Sequence, residues 1–163
     1  MIALEYRTIG PRAGHEAGRV LLREMTERLT GAPMPEILIG ERGKPYFATG
    51  SLYFSISHTK RHVFCALSDR PIGIDAEEMD RSISLNLSRK ILSPEELAQY
   101  HAAADQRLAL LTFWVLKEAQ GKCLGTGIQG FPSHTNFSLD DPRVTTVDGC
   151  LVAVVEKEKD YAL

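Results

Sequence analysis

Apolar and polar residues follow two rhythms along this chain, one helical and one typical of strands. From 14 to 29 the apolar residues recur on one face of a helix, which predicts an amphipathic helix there. From 108 to 116 nearly every residue is apolar, so the helix predicted at that place should be enclosed by the rest of the protein. Alternating segments predict strands at 2–9, 37–39, 52–57, 62–67, 72–76, 136–139 and 150–155.

Capping signals place the ends of two helices in the second part of the chain. Ser93 is followed by Pro94 and Glu96, the pattern of a capping box with proline at the first helical position. The apolar helix should extend from about 105 to 124, because glycines at 125 and 127 are typical of the residues that follow a helix.

The order of these elements predicts an α+β fold. Strands surround a single helix in the first part, whereas two helices lie between the strands of the second. We therefore expect two α+β halves, at 1–69 and 70–163, with the junction at Asp69-Arg70-Pro71.

Charged residues interrupt the apolar helix towards its C-terminal end. Trp114, Glu118 and Lys122 follow one another at intervals of four residues and share one stripe of the helix, with Lys117 beside it. An ionised group without a partner at the edge of a core is strongly unfavourable. We therefore expect an internal ion pair, a metal ion or a phosphate-rich ligand at this stripe.

A pair of carboxylates follows from the strand predicted at 72–76. In an alternating segment, Asp75 and Glu77 point the same way and lie roughly 7 Å apart. Oxygen ligands at that spacing suit Mg²⁺, and Gly73 would leave room for a ligand on the same surface. The alternative is that both carboxylates belong to the solvated face of an edge strand.

Basic and hydroxyl-bearing residues are concentrated earlier in the chain. Gly43-Lys44-Pro45, preceded by Arg42, is a turn in which Lys44 can present its charge to a phosphate. His58-Thr59-Lys60-Arg61 is the expected tip of a hairpin between two strands. A polyphosphate bridged to a cation would use these residues together with the carboxylates, although a solvated turn and a surface histidine also fit the pattern.

Four motifs resemble those of the 4′-phosphopantetheinyl transferases. In chain order they are Gly43-Lys44-Pro45, Ser57-His58, Gly73-Ile74-Asp75-Ala76-Glu77 and Trp114-x-x-Lys117-Glu118-Ala119-x-x-Lys122. The resemblance runs from about 42 to 125 and is nearest to the longer, pseudo-dimeric Sfp type. The shorter holo-acyl-carrier-protein-synthase type is similar in its Asp and Lys-Glu motifs, but it lacks the Gly-Lys-Pro element and the Trp.

The resemblance implies an activity, its cofactor and its partners. The reaction would be a Mg²⁺-dependent transfer of the phosphopantetheine arm of coenzyme A to a serine of an apo acyl or peptidyl carrier protein, with release of 3′,5′-ADP. It also implies a pseudo-two-fold arrangement of two similar halves, with the active site in the cleft between them. Such a protein would be a monomer that imitates a dimer.

Motif positions carry the implied roles onto this chain. Asp75, Glu77 and Glu118 would hold Mg²⁺, and the implied catalytic residues are Asp75, Glu118 and Lys122. Glu118 would act as general base, as metal ligand or as both. The residues expected to bind coenzyme A are Arg42, Lys44, Pro45, Ser57, His58, Thr59, Lys60, Lys117 and Lys122.

Composition and charge agree with a globular enzyme and exclude other classes. The 163 residues carry a formal net charge of −2, which argues against a nucleic-acid-binding protein that relies on positive charge. No apolar run approaches the length of a membrane span and no signal peptide is apparent, so a cytoplasmic protein is expected. Cys65, Cys123 and Cys150 lack Cys-x-x-Cys spacing, so we expect buried thiols rather than disulfides or a zinc site.

Other interpretations and departures from the family pattern remain. A Mg²⁺-dependent hydrolase of a nucleotide diphosphate would use the same charged groups, and a non-catalytic coenzyme A or carrier-binding module would keep only part of them. The chain is short before Gly14, where the family often supplies basic residues. Gly121 either permits close approach of the substrate or marks a loosening helix. The segment 81–92 mixes leucines with basic residues and either docks the carrier protein or packs as an ordinary connector.

Overall fold

A computed structural model describes residues 1–127 and 136–159. Its strands are β1 (Ala3–Thr8), β2 (Ile37–Ile39), β3 (Pro45–Phe47), β4 (Tyr53–His58), β5 (His62–Ser68), β6 (Ile72–Glu78), β7 (Val144–Val147) and β8 (Cys150–Glu156). Its α-helices are α1 (Gly14–Thr30), α2 (Ser88–Ile91), α3 (Pro94–Ala102) and α4 (Gln106–Leu124), with a 3₁₀ turn at Leu85–Leu87. The predicted α+β class is therefore confirmed.

The strands form two antiparallel three-stranded sheets and one small hairpin. Sheet 1 has the order β1-β5-β4, sheet 2 has the order β6-β8-β7, and β2 pairs with β3. All strands of sheet 1 come from the predicted first half, and all strands of sheet 2 come from the second. The boundary at 69/70 and the pseudo-two-fold relation stay predictions, and segments 128–135 and 160–163 lie outside the described residues.

Three apolar clusters hold these layers together. One packs α1 on sheet 1 around Leu22 and Met25, and a second packs α4 on sheet 2 around Leu110 and Phe113. The third cluster joins the two sheets, because residues of β5 such as Phe64 contact residues of β6 and β8. The seam between the two sheets is thus partly a hydrophobic core, which fixes the elements that carry the charged motifs.

Serine hydroxyls replace a backbone ladder where β4 lies beside β6. The amide of Ile74 donates to Ser55 Oγ at 3.0 Å, and the amide of Ala76 donates to Ser57 Oγ at 3.1 Å. Two amides of β6 are satisfied in this way without main-chain pairing to β4, which meets the requirement that buried N–H groups find acceptors. Ser57 is therefore a structural residue as well as a member of a predicted binding motif.

Helix α4 lies directly against β6, and a glycine makes this contact possible. A Cβ atom built on Gly73 would lie 1.9 Å from Ala119 O and 2.4 Å from Cys123 N. The expectation that Gly73 leaves room for a ligand is therefore wrong, because the helix backbone fills that space. The close approach brings the charged stripe of α4 to the carboxylates of β6.

Helix boundaries follow the predicted capping signals. Ser93 and Glu96 form the expected capping box, with Ser93 Oγ accepting from the Glu96 amide and Glu96 Oε1 accepting from the Ser93 amide. Gly125 follows α4 in the left-handed conformation. Gly121 does not mark a loosening of the helix, since the helix continues to Leu124. It does not leave room for a substrate either, because a Cβ atom on Gly121 would lie 2.8 Å from the backbone of Gly127.

The strand predicted at 136–139 is wrong. Phe137 and Leu139 donate their amides to side chains of α3, namely Glu96 Oε2 and Gln99 Oε1, each at 3.1 Å. With these amides bound to a helix, the segment cannot join a ladder, and the outer strand of sheet 2 forms instead at Val144–Val147.

The short strand Pro45–Phe47 was not predicted, because three residues after a basic turn give too little alternation. Among the described helices, none combines the length and apolar character needed to cross a membrane.

Candidate active site

Three carboxylates influence one another electrostatically where α4 lies on β6. Asp75 is 7% exposed, and Glu77 and Glu118 are half-buried. Burial raises the pKa of all three carboxyl groups, and the negative charge of Asp75 raises the pKa of Glu77 and Glu118 further. Negative charges that repel each other at a partly buried position are stabilised by a positive charge nearby.

Lys122 supplies part of that positive charge from the last turn of α4. Its Nζ lies 3.0 Å from Asp75 Oδ1 and donates to the carbonyl of Ile74 at 2.9 Å. Ser57 donates to the same oxygen of Asp75 at 3.2 Å. Residues from β4, β6 and α4 therefore converge on a single carboxylate oxygen, and the roles that the motifs imply for them stay predictions.

The second oxygen of Asp75 is suited to a cation. Oδ2 is buried and has no hydrogen-bond partner within the described parts of the chain. A buried carboxylate oxygen without a donor is unfavourable unless a cation satisfies it. Together with the neighbouring Glu77 and Glu118, it offers the all-oxygen donor set that Mg²⁺ prefers. The residues present therefore fit the metal that the sequence motifs imply.

Two side chains act on Glu77 at the edge of this site. Arg81 forms an ion pair with Glu77 Oε1, and Trp114, on the predicted stripe of α4, lowers the pKa of the Glu77 carboxyl group against the effect of burial. Arg81 was assigned by sequence to the carrier-docking segment, not to the carboxylate site. Arg81 follows Glu77 by four residues. That spacing predicts an ion pair only within a helix, and Glu77 lies near the end of a strand, so the sequence did not indicate this pair.

A cleft of about 640 Å³ opens beside the carboxylates. It is lined by residues from both halves, namely Thr59, Lys60, Arg61, Glu77, Glu78, Asp80, Arg81 and Ser82. Lys60 and His58 are exposed. Thr59 turns inward and donates to Glu78 Oε1 at 2.6 Å. The hairpin tip predicted to bind phosphates thus borders the same cleft as Glu77.

The turn that contains Lys44 reaches the seam from the other side. Lys44 Nζ donates to the carbonyls of Lys122 and Ile72, the latter at 3.3 Å, and burial lowers its pKa. A second cleft of about 450 Å³ is lined by Arg42, Lys44, Pro45 and neighbouring residues. In this structure the Lys44 ammonium ties the turn to the end of α4, and its binding to a phosphate stays a prediction.

Lys117 occupies a different environment from the other charged residues of its motif. Its side chain is 4% exposed, and its Nζ lies 2.8 Å from Oε1 of the fully buried Glu96. The ammonium also lies over the ring of Phe137, 5.4 Å from the centroid. The structure therefore places Lys117 in an internal ion pair with α3, and its contact with coenzyme A stays a prediction.

Comparisons with a family model and with individual proteins indicate the same family. The family model described as "4′-phosphopantetheinyl transferase superfamily" matches residues 71–158. A 4′-phosphopantetheinyl transferase of Bacillus subtilis is 28% identical over 161 residues, covering 90% of this chain and 70% of the relative. The 4′-phosphopantetheinyl transferase Sfp of Bacillus subtilis strain 168 is 32% identical over 157 residues, with the same two coverages.

A shorter match is also to a 4′-phosphopantetheinyl transferase. The 4′-phosphopantetheinyl transferase gsp of Aneurinibacillus migulanus is 29% identical over 134 residues. This match covers 80% of the present chain but only 55% of that relative. The carboxylate cluster, the lysine that faces it and these similarities agree: the chain belongs to the 4′-phosphopantetheinyl transferase superfamily.

Proposed function

We propose that this protein transfers the 4′-phosphopantetheine arm of coenzyme A to a serine of an apo acyl or peptidyl carrier protein. The serine oxygen forms a bond to the phosphorus that bears the pantetheine arm. The bond from that phosphorus to the bridging oxygen of the diphosphate breaks, and 3′,5′-ADP leaves with the bond's electrons. The electrostatic coupling of Glu118 to Asp75, Glu77 and Lys122, with Lys122 Nζ 3.0 Å from Asp75 Oδ1, carries this proposal.

Charge neutralisation is the main requirement of phosphoryl transfer, and the site is equipped for it. Bound between Asp75, Glu77 and Glu118, Mg²⁺ would supply positive charge opposite the coenzyme A diphosphate. Lys122 neutralises charge that develops on the leaving group, and its carbonyl and carboxylate partners hold its ammonium in place. Helix α4 and strand β6 are rigid supports, so the groups need little reorganisation on substrate binding.

Glu118 is the proposed general base for the serine proton. It is half-buried, and burial together with the charges of Asp75 and Glu77 raises its pKa. A carboxylate with a raised pKa is a stronger base than an exposed one, which favours proton abstraction. The proton moves from the serine hydroxyl to a Glu118 carboxylate oxygen.

Coenzyme A itself would be held by the basic rim of the cleft. Lys60 and His58 are exposed at the hairpin tip, and Arg42 is exposed on the turn before Lys44. These residues can contact the 3′-phosphate and diphosphate without breaking an ion pair in the structure. Ser57 and Thr59 add hydroxyl groups from the same hairpin.

Mass spectrometry of a carrier protein tests the proposal directly. The purified chain is incubated with coenzyme A, Mg²⁺ and an apo carrier protein, and the carrier mass should increase by one phosphopantetheine arm. The same reaction with Asp75→Ala should leave the carrier unmodified. Hydrolysis of coenzyme A without any change in carrier mass would instead establish a hydrolase and overturn the proposal.

A further inference from the structure

A second polar cluster lies on the face of β6 that packs against β5, beginning at Glu78, the residue after Glu77. His62 of β5, Glu78 of β6 and Cys150 of β8 are all buried. His62 Nδ1 lies 3.0 Å from Glu78 Oε1 and 3.4 Å from Cys150 Sγ. One atom of each residue lies within 4.8 Å of the other two. An imidazole nitrogen, a carboxylate oxygen and a sulfur therefore face one small space.

A fourth residue fixes the orientation of the imidazole. Asp148, in the turn between β7 and β8, lies with Oδ2 2.8 Å from His62 Nε2. When Nε2–H donates a hydrogen bond to this carboxylate, Nδ1 of the neutral imidazole is the nitrogen with a free lone pair, directed at Glu78 and Cys150. A histidine that binds metal through one nitrogen commonly donates from the other to a carboxylate. Asp148 thus stands where such an outer partner would stand.

The distances are close to those of a metal site. Zinc bonds of roughly 2.0 to 2.3 Å in a tetrahedral arrangement place neighbouring ligand atoms about 3.3 to 3.7 Å apart. The separations from His62 Nδ1, 3.0 Å to Glu78 and 3.4 Å to Cys150, require only small outward shifts, and the Glu78 and Cys150 ligand atoms lie within 4.8 Å of each other. Thr59 and Arg61 donate to the Glu78 carboxylate, and this leaves it lone pairs for a further contact.

We infer that His62 Nδ1, Glu78 Oε1 and Cys150 Sγ form a binding site for a divalent transition metal of the zinc class, with Asp148 as the outer partner of the histidine. The site is separate from the Asp75, Glu77 and Glu118 cluster, and the inference does not depend on the proposed function. Nitrogen and sulfur ligands favour zinc and its relatives, whereas the all-oxygen cluster suits magnesium. On binding, the Cys150 thiol proton leaves to solvent.

The three residues are far apart in the sequence, which is why the cysteine spacing indicated no zinc site. Sixteen residues separate His62 from Glu78, and 88 separate His62 from Cys150, so no short metal-binding motif exists. The three residues come together because β5 and β6 lie against each other across the seam, and because Glu78 and Cys150 are register partners in sheet 2. Only the fold brings them within reach.

Cobalt(II) is the probe for this inference, because thiolate ligation to cobalt gives a charge-transfer absorption that carboxylate or imidazole ligation does not. The full chain, freed of metal by chelator, is titrated with Co²⁺. We expect a thiolate-to-cobalt band that saturates at one equivalent and disappears on addition of Zn²⁺. Cys150→Ala should lose this band, whereas Cys65→Ala, which removes another fully buried thiol, should retain it.

Asp148→Asn provides a second variant with little risk to folding, because the side chain is half exposed and asparagine tolerates the positive φ of this position. It should weaken cobalt affinity by about 10- to 100-fold, as expected for loss of an outer carboxylate. Circular dichroism of each variant confirms that it is folded. Absence of the band in the parent chain, or a band that survives in Cys150→Ala, would overturn the inference.

Discussion

Lys117 Nζ lies 2.8 Å from Glu96 Oε1, and both side chains are almost completely withdrawn from solvent. Lys117 and Glu118 are neighbours in one sequence motif, yet helix α4 directs the first to α3 and the second to the carboxylate cluster. Successive residues of a helix point about 100° apart, so adjacent charges in a motif need not share a site. One motif therefore contributes both to an internal ion pair and to the carboxylate cluster.

Removal of the Lys117 ammonium should destabilise the protein without weakening coenzyme A binding. Lys117→Met leaves the Glu96 charge buried without its cation, at a cost of about 3 to 5 kcal/mol in the free energy of unfolding. Chemical denaturation measures this loss, and the exposed Lys90→Met serves as the control. Adding Glu96→Gln should restore part of the stability. A stable Lys117→Met that binds coenzyme A poorly would instead support the role implied by the motif.

Ser57 and Ser55 form a matched pair that separates structure from function. Each hydroxyl accepts one amide of β6, but only Ser57 donates to Asp75. Ser55→Ala and Ser57→Ala should each cost about 1 to 3 kcal/mol in stability, because a buried N–H loses its acceptor. Ser57→Ala should in addition lower the rate of carrier modification. Equal rates in two folded variants would contradict a role of Ser57 at the site.

Asp141 should make the folding stability of the protein depend on pH in the acid range. Two hydrogen bonds from the Arg143 guanidinium, at 3.0 and 2.7 Å, lower the pKa of Asp141 from its ordinary 3.8. Because the folded pKa lies below the unfolded one, the stabilisation is complete above the unfolded value and is lost as pH falls through the folded value.

Asp141→Asn should remove this contribution. At neutral pH the variant should be less stable by up to about 1 kcal/mol, because the pair is partly exposed. The difference from the parent should shrink as pH falls below 3.8. Denaturation curves across this range measure it, with the nearby Asp140→Asn as control. A difference that is constant with pH would show that the ion pair does not contribute.

Periodicity and capping signals in the sequence predicted the long elements well. Helices α1 and α4 and strand β6 begin or end within a few residues of their expected positions, because strong apolar patterns and glycine caps act locally. The failed strand at 136–139 depended on side chains of α3, about 40 residues away. A pattern read along the chain contains no information about such an acceptor.

The candidate site was predictable only where residues share a strand or a helix face. Asp75 with Glu77, and Trp114 with Glu118 and Lys122, follow from period two and period four. Their meeting required the contact of Gly73 with the α4 backbone, and the sequence suggested a different use for that glycine. The cluster at His62 combines three strands and gave no signal at all.

Glu118→Gln should separate catalysis from stability. If Glu118 takes the serine proton, the amide variant should lower kcat on the order of 10² to 10⁴-fold. Its folding stability at neutral pH should not fall, because the charged form of Glu118 is disfavoured by burial and by Asp75. Steady-state assays and denaturation measure the two effects, with the exposed Glu95→Gln as control. A rate near that of the parent would assign the base to another group.

Carrier docking can be tested at α2, where Arg89 and Lys90 are exposed. The structure divides this segment: Leu92 is buried, whereas Leu85 is 44% exposed near the basic residues. We expect an exposed leucine beside positive charge to suit an acidic, apolar partner surface, with the charges steering encounter. Arg89→Glu should therefore raise the carrier KM and leave the affinity for coenzyme A unchanged.

The matched control for Arg89→Glu is Arg23→Glu, which reverses an exposed arginine on α1 in the other half of the protein. Both substitutions change the net charge by the same amount, so a general electrostatic effect would raise the carrier KM equally. A docking role requires a larger increase for Arg89→Glu, and this excess should shrink as salt screens the interaction. Equal KM values for the two variants would leave α2 as an ordinary connector between β6 and α3.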